Sequence, residues 1–178
     1  YNLQNKTILV DAANGANYKI TPMLLRELGA TTININCNPD GFNINENSAV
    51  LNQKLFAEYA KNYKFDYCVA VDGDGDRIVL SDDKGTIFTG DDILYTLASR
   101  NKMIGKDQSD KVIGTTMSNQ GVVEALKMLG ISFLRADVGD KYISRELVKN
   151  NLNLGAEPSG HVIQREFSES GDANIALI

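Results

Sequence analysis

The sequence predicts an α/β protein made of two consecutive three-layer α/β/α units with mixed, mainly parallel sheets. Two observations predict this fold class. Short apolar runs of strand length alternate with segments in which apolar residues recur at helical spacing, which is the pattern of a parallel sheet. This alternation occurs twice along the chain, so we predict one domain over residues 1–88 and a second over residues 89–178.

Local signals justify the elements of the first half. Strands are predicted at Thr7–Val10, Thr31–Ile35 and Tyr67–Val71, and helices over residues 21–28 and 55–63. Thr21 is the expected N-cap of the first helix, with Pro22 at its first position, where no backbone N–H is needed. Gly29 supplies the left-handed residue that ends this helix. The third strand is almost entirely apolar, which favours a sheet covered on both faces.

The second half repeats this order. Strands are predicted at Lys111–Thr115, Ile131–Leu134 and Leu152–Ala156, and helices at Asn119–Leu129 and Tyr142–Val148. A further helix begins near Gly90, where Asp91 or Asp92 is expected to cap it. The apolar segment Asp172–Ile178 predicts the start of another helix, and the chain begins at Tyr1 without a Met. We therefore expect the chain to be an excised fragment.

Composition and charge argue against several classes of protein. The chain has 178 residues, 43% of them hydrophobic, and a net charge of −5. This acidic balance argues against a partner that is nucleic acid or an anionic membrane surface. No stretch approaches the roughly 18 consecutive apolar residues of a membrane span. Cys37 and Cys68 resemble neither a disulfide framework nor a metal knuckle, which favours a cytoplasmic location.

The segment Asp72–Arg77 carries the clearest chemical signal, because three carboxylates alternate with two glycines directly after a strand. Carboxylates packed into so short a loop repel one another unless a cation neutralises them, and glycine lets the backbone wrap closely around that cation. Hard oxygen ligands select Mg²⁺ or Ca²⁺. We therefore expect Asp72, Asp74 and Asp76 to bind a divalent cation. A solvated acidic turn is the alternative.

An EF-hand calcium loop is the rival interpretation of this segment, since Asp83 falls at the twelfth position of that motif. It is disfavoured because Arg77 stands where an EF-hand needs glycine, and because strand-like sequence flanks the loop. Arg77 is suited to bind a phosphoryl group in bidentate fashion beside a cation. A plain salt bridge to Asp82 or Asp83 is the alternative for this side chain.

Two further loops carry weaker signals. Glu157 and Ser159 offer an acceptor and a donor on a glycine-flanked turn, which suits vicinal sugar hydroxyls as well as an ordinary capped turn. His161, the only histidine of the chain, is either catalytic or structural. Lys141 lies near a helix start, where it either completes a phosphate site or stays solvated.

The segment Gly114–Asn119 joins a predicted strand to a helix and can border a ligand. Gly114 and Thr115 are its candidate substrate-binding residues. The small residues of this turn suit tight packing equally well.

Together these segments resemble the α-D-phosphohexomutase superfamily across nearly the whole chain. The pair formed by Asp72–Arg77 (DGDGDR) and Gly155–His161 (GAEPSGH) carries most of this resemblance. Within the superfamily, three other segments are more similar to phosphoglucosamine mutases than to phosphoglucomutases or phosphomannomutases. They are Asp40–Glu46, Thr116–Asn119 and Val138–Ile143.

The resemblance implies an enzyme with four domains around one active site, of which this chain corresponds to the second and third. The implied site residues are Asp72, Asp74 and Asp76 for Mg²⁺, Arg77 and Lys141 for phosphate, Glu157 and Ser159 for sugar hydroxyls, and His161 close to the reacting centre. The implied reaction interconverts a hexose or hexosamine 6-phosphate and 1-phosphate through a bisphosphate intermediate. A phosphoserine of the first domain is the implied phosphoryl carrier.

Four departures from the phosphoglucosamine mutase pattern remove no implied metal or sugar ligand. They are the segment Asn47–Leu51 and the residues Lys141, Ala156 and Pro158. Glucose and mannose phosphates therefore stay open as substrates, and a catalytically silent sugar-phosphate-binding module is the second hypothesis. The Ser-His-Asn-Pro context of the family's phosphoserine does not occur in this sequence. We therefore expect the chain to be inactive alone and to need the remaining domains as partners.

Overall fold

The computed structural model describes residues 2–106 and 110–178. Within them the chain divides into two compact units, the first ending at Phe88 and the second beginning at Thr89. Each unit has its own sheet and its own hydrophobic core. None of the helices in this part of the chain is long and apolar enough to cross a membrane.

The first unit is a mixed sheet whose parallel strands are connected by helices. In chain order its elements are β1 (Thr7–Asp11), α1 (Ile20–Glu27), β2 (Thr31–Ile35), α2 (Lys54–Asn62), β3 (Tyr67–Val71), β4 (Ile78–Asp82) and β5 (Ile87–Phe88). The strand order is β2-β1-β3-β4-β5. β1 runs parallel to β2 and β3, whereas β4 is antiparallel to β3 and β5. The predicted parallel strands are confirmed, and β4 and β5 add an antiparallel edge.

Apolar residues bury both faces of the central strand β1. Leu9 packs in a cluster with Phe56 and Tyr59 of α2. Its neighbours Ile8 and Val10 point to the opposite face, because side chains alternate along a strand, and they are buried as well. The sheet is therefore covered on both faces, as expected for strands with continuous apolar runs.

Helix α1 begins one residue before Thr21, and the prediction of Thr21 as its N-cap is wrong. The N-cap position belongs to Lys19, whose side chain makes no capping hydrogen bond. The backbone N–H of Thr21 already donates to the carbonyl of Asn17 (3.2 Å), which draws the chain into the helix earlier. Pro22 still lies in the first turn, where its missing N–H is tolerated. Gly29 has a φ of 98° and follows the helix as predicted.

The second unit is built on a smaller mixed sheet. In chain order its elements are α3 (Gly90–Met103), β6 (Lys111–Thr115), α4 (Gln120–Met128), β7 (Ser132–Ala136), α5 (Asp140–Asn150), β8 (Leu154–Ala156), β9 (Val162–Gln164) and α6 (Ala173–Leu177). The strand order is β7-β6-β8-β9, with β9 antiparallel to β8 and the other pairs parallel. Ile113 of β6 packs in a cluster with Ile143 and Leu147 of α5. The predicted fold class of two mainly parallel α/β units is confirmed.

The start of α3 uses both predicted aspartates, but in different ways. Thr89 is the N-cap, and its backbone N–H and Oγ1 both donate to the carboxylate of Asp92 (2.7 and 2.9 Å). This is a capping box with an acidic residue at the third helical position. Asp91 does not cap the helix; its carboxylate is buried, and its Oδ2 accepts the backbone N–H of Asn119 (2.7 Å).

Candidate functional site

The acidic loop Asp72–Arg77 connects the antiparallel strands β3 and β4 at the carboxyl end of β3. Carboxylate oxygens of Asp72, Asp74 and Asp76 all lie within 4.8 Å of one another. Asp72 is buried, Asp76 half-buried and Asp74 exposed. The strands on both sides exclude an EF-hand, in which helices flank the loop.

The Asp72 carboxylate organises this loop from within. Its Oδ1 accepts the backbone N–H groups of Gly75 (3.2 Å) and Arg77 (3.0 Å). Burial raises the pKa of Asp72 to about 6, helped by the negative charges of Asp76 and Asp74 and opposed by the hydrogen bond from Arg77. Burial and two neighbouring negative charges disfavour the ionised form of this carboxylate, and a bound cation would stabilise that form.

Arg77 pairs with the acidic loop itself, and not with Asp82 or Asp83 as the plain salt-bridge alternative assumed. Its Nε lies 3.6 Å from Asp72 Oδ2 and 3.8 Å from Asp76 Oδ1. The side chain is 47% exposed, so the guanidinium keeps donors that face solvent. It can therefore contact an anion beside the carboxylate cluster.

The donor set fits a hard divalent cation. Three carboxylates converge on one point, and the loop that carries them has a single cationic side chain, Arg77. Mg²⁺ is commonly bound by a few carboxylates while its other ligands are water or substrate phosphate oxygens. Asp72, Asp74 and Asp76 are therefore the residues that would hold Mg²⁺.

In the second unit, the turn after β8 holds the predicted sugar-binding residues. The backbone N–H of Glu157 donates to the carbonyl of His161 (2.9 Å), and that of Gly160 donates to the carbonyl of Glu157 (3.0 Å). Gly160 has a φ of 97°, which glycine adopts without strain. Glu157 is half-buried and Ser159 is exposed. The turn is thus closed by its own backbone and presents Ser159 to solvent.

The structure brings Glu157 to the start of α5, where Lys141 lies. Glu157 Oε1 accepts the backbone N–H of Gly139 (2.8 Å), the N-cap residue of α5. Lys141 is exposed in the first turn of that helix, with its Nζ 4.9 Å from the centre of the Tyr142 ring. The hydrogen bond to Gly139 therefore fixes Glu157 beside the first turn of α5, which carries Lys141.

The beginning of α3 supports the turn after β8, which the sequence reasoning missed. The backbone N–H of Gly90 donates to the carbonyl of Pro158 (3.3 Å), and a Cβ at Gly90 would overlap the carbonyl of Glu157. Asp91 holds the N-cap residue of α4, Asn119, as described above. The sequence did contain a signal for this contact, namely a glycine directly after the capping threonine. Glycine does not stabilise a helix, and its presence at this position indicates a close contact with another backbone segment.

Three predicted site residues are placed in the interior. Gly114 is buried, and a Cβ there would overlap the ring of Phe133; Thr115 is fully buried, with its Oγ1 accepting the backbone N–H of Met117 (3.2 Å). The side chains of both residues are thus used in packing and local hydrogen bonding at β6, and their role in substrate binding stays a prediction. His161 is 4% exposed and lies against Gly171, and its catalytic role stays a prediction.

Both halves of the chain match known family models. Residues 2–85 match the model described as phosphoglucomutase/phosphomannomutase, alpha/beta/alpha domain II, and residues 89–178 match alpha/beta/alpha domain III of the same family. The phosphoglucosamine mutase of Psychrobacter cryohalolentis is 46% identical over 178 residues, covering 100% of this chain and 38% of that protein. The phosphoglucosamine mutase of Thermodesulfovibrio yellowstonii is 44% identical over 177 residues, covering 99% of this chain and 39% of that protein. The chain thus spans about two fifths of the length of these relatives.

Solved structures of lower sequence identity share the fold. A phosphoglucomutase/phosphomannomutase family protein from Burkholderia thailandensis superimposes with a TM-score of 0.85 at 20% identity, over 96% of this chain and 38% of that one. The N-acetylphosphoglucosamine mutase of Aspergillus fumigatus, solved with GlcNAc-6P and magnesium, superimposes with a TM-score of 0.67 at 19% identity, over 98% of this chain and 45% of that one. From its sequence matches and its fold, the chain belongs to the phosphoglucomutase/phosphomannomutase family of α-D-phosphohexomutases, and it comprises that family's second and third α/β/α domains.

Proposed function

We propose that this chain supplies the cation-binding and sugar-binding domains of a cytoplasmic phosphoglucosamine mutase, which interconverts glucosamine 6-phosphate and glucosamine 1-phosphate. The convergence of Asp72, Asp74 and Asp76 within 4.8 Å is the observation that carries the proposal. An amino sugar is chosen as the substrate because relatives whose alignments cover the whole of this chain are named phosphoglucosamine mutases.

The reaction is a phosphoryl transfer between oxygen atoms. The bond between the serine oxygen and phosphorus in a phosphoserine of another domain breaks as the free hydroxyl of the sugar monophosphate bonds to that phosphorus. The proton of the hydroxyl is transferred to the serine oxygen, which becomes a hydroxyl group, and a sugar bisphosphate forms. The bisphosphate then returns its other phosphoryl group to the serine. Mg²⁺ held by the carboxylate cluster would supply stabilisation of the phosphoryl charge during transfer.

The residues of this chain bind and orient the reactants. The exposed donors of Arg77 hold oxygens of the phosphoryl group next to the carboxylate cluster. The free oxygen of Glu157 and the hydroxyl of Ser159 hydrogen-bond sugar hydroxyls, while Lys141 contacts the phosphate at the far end of the sugar. Because no Ser-His-Asn-Pro segment occurs in the sequence, the chain alone has no mutase activity and needs the remaining domains of the enzyme.

A chimera tests this proposal. The 178 residues of the chain replace the segment to which they align in the Psychrobacter cryohalolentis phosphoglucosamine mutase. The purified chimera is assayed with the 6-phosphates of glucosamine, glucose and mannose, beside a second chimera that carries Asp74→Asn.

We expect turnover that is fastest with glucosamine 6-phosphate and at least tenfold slower in the Asp74→Asn chimera. A chimera that prefers glucose or mannose phosphate contradicts the substrate assignment. A folded chimera that converts none of the three sugars contradicts the role in a mutase.

A further inference from the structure

Asp11 is a buried carboxylate that the proposed mechanism does not use. It ends β1, is fully buried, and accepts four hydrogen bonds. Its Oδ1 accepts from the backbone N–H of Ala13 (3.1 Å) and the side-chain amide of Asn36 (2.9 Å). Its Oδ2 accepts from the backbone N–H of Ala49 (2.7 Å) and the hydroxyl of Tyr59 (3.0 Å). A buried charge is costly unless it is surrounded by donors, and these donors come from four separate segments.

The turn that follows Asp11, residues 12–17, is held in a strained conformation. Ala13 and Asn14 both have left-handed backbones, with φ of 51° and 49°. Asparagine adopts this conformation readily, but it is unfavourable for alanine, so the backbone at Ala13 needs support from neighbouring groups. The hydrogen bond from Ala13 to Asp11 and the one from the backbone N–H of Asn14 to the carbonyl of Asn36 (2.6 Å) supply it.

The same turn lies directly against the acidic loop. The backbone N–H of Ala16 donates to the carbonyl of Gly73 (2.8 Å). A Cβ at Gly15 would overlap Gly73, so the two backbones touch with no room for a side chain. The side-chain amide of Asn17 reaches the carbonyl of Gly75 (3.5 Å). The two glycines that separate the three clustered carboxylates are therefore both held by this turn.

We infer that Asp11 is the positioning residue of the cation-binding loop. Through the strained turn of residues 12–17 it fixes Gly73 and Gly75, and with them the clustered carboxylates. The inference rests on the proposed cation site. Residues that orient the metal ligands without contacting the metal commonly change metal affinity by about 10- to 100-fold when they are mutated.

The test compares two variants of the 178-residue chain. Asp11→Asn keeps the size of the side chain, but its NH₂ group faces the backbone N–H of either Ala13 or Ala49, whichever way the amide is turned. Tyr59→Phe is the matched control, because it removes one hydrogen bond to Asp11 Oδ2 and leaves the contact of Oδ1 with the turn. Mn²⁺ affinity is measured by calorimetry on protein shown to be folded by circular dichroism. Hydrogen exchange of the Ala16 amide is measured on the metal-free protein.

We expect Asp11→Asn to weaken Mn²⁺ binding at least about tenfold and to speed exchange of the Ala16 amide. Tyr59→Phe should leave both within about twofold of the original values, even where it lowers the melting temperature. Wild-type affinity and exchange in folded Asp11→Asn overturn the inference, and so do equal losses in the two variants, which indicate a general stabilising role.

Two further outcomes are informative. A wild-type chain that binds no Mn²⁺ contradicts the proposed cation site, while the exchange rate of Ala16 still decides whether Asp11 holds the turn. If Asp11→Asn does not fold, Asn17→Ala replaces it, because this side chain touches Gly75 at the far end of the same turn. Unchanged Mn²⁺ affinity in Asn17→Ala then overturns the inference.

Discussion

At the scale of single residues, burial and charge act against each other most strongly at Asp72. Its side chain is 8% exposed, yet two other carboxylates lie beside it. The sequence predicted this cluster correctly, because alternating aspartates and glycines after an apolar strand leave little choice of geometry. It could not show which aspartate would be buried, since that depends on the path of the loop between β3 and β4, in which Asp72 Oδ1 accepts the backbone N–H groups of Gly75 and Arg77.

The raised pKa of Asp72 predicts a pH dependence of stability and of metal binding. The folded carboxyl, with a pKa of about 6, binds its proton more tightly than the unfolded one, with a model value of 3.8. Protonation of Asp72 therefore stabilises the metal-free protein fully below the unfolded value, and this contribution is lost as pH rises through about 6. Apparent Mg²⁺ affinity should fall by about tenfold per pH unit below that pKa, since protons and cations compete.

Thermal unfolding of metal-free protein between pH 4 and 7 measures the first effect, with Asp72→Asn as the matched variant. As the pH rises, the original protein should lose the stability contributed by protonated Asp72. The variant has no titrating group at this position and should not show this loss. Identical pH profiles of the two proteins would contradict the assignment of this titration to Asp72.

Glu157 and Ser159 are expected to contribute to turnover and not to folding. In the chimera, Glu157→Ala and Ser159→Ala should each lower kcat/KM by an amount equivalent to about 0.5–3 kcal/mol. Glu157→Ala should have the larger effect, because it also releases the backbone N–H of Gly139. Ser132→Ala, at an exposed serine at the start of β7, is the control for steady-state kinetics. Unchanged kcat/KM in both variants contradicts the sugar-binding role of this turn.

At the scale of elements, the candidate site residues lie near the carboxyl ends of parallel strands. β1, β2 and β3 end at one edge of the first sheet, and β6, β7 and β8 at one edge of the second. The loops after them carry the acidic cluster in the first unit and Glu157 and Ser159 in the second, and Lys141 lies in the first turn of the helix that follows β7. This is the edge at which ligands bind in open α/β sheets.

The support given by α3 to the turn after β8 can be tested at Gly90. Gly90→Ala should displace this turn, because the added Cβ overlaps the carbonyl of Glu157. We expect a raised KM for the sugar phosphate in the chimera as well as lower stability. Gly105→Ala is the control: its Cβ meets open space, and its left-handed φ of 67° costs about 1 kcal/mol of stability. If both variants change KM equally, the contact between Gly90 and Glu157 has no role in binding.

Element positions followed from the sequence wherever an apolar run or an end signal was unambiguous. Tyr67–Val71 and Lys111–Thr115 form strands with the predicted bounds. The strand predicted from Leu152 begins only at Leu154, because Asn151 is left-handed and the N–H of Leu152 is used to close α5 on the carbonyl of Leu147. These are local features of a helix end, where Asn commonly adopts the left-handed conformation, so Asn151 was a signal for the end of α5 that the sequence prediction did not use.

At the scale of the whole molecule, the repeated strand and helix order was enough to predict two α/β units. The antiparallel edge strands β5 and β9 were not predicted, since they are only two and three residues long and lie outside the repeating pattern.

The buried carboxylate of Asp11 was also not predicted. An acidic residue that ends a fully apolar strand is a signal for a buried, hydrogen-bonded carboxylate, but its donors come from distant segments that only the fold brings together.

The central claim is that Asp72, Asp74 and Asp76 form a divalent cation site. Calorimetric titration of Mg²⁺ and Mn²⁺ into the chain tests it most directly, with Asp74→Asn as the variant and Asp83→Asn, at an exposed carboxylate outside the cluster, as the matched control. We predict weak binding in the original chain, because three carboxylates leave the other positions around the ion to water. We predict no detectable binding in Asp74→Asn and unchanged binding in Asp83→Asn. Equal binding in all three proteins would contradict the claim.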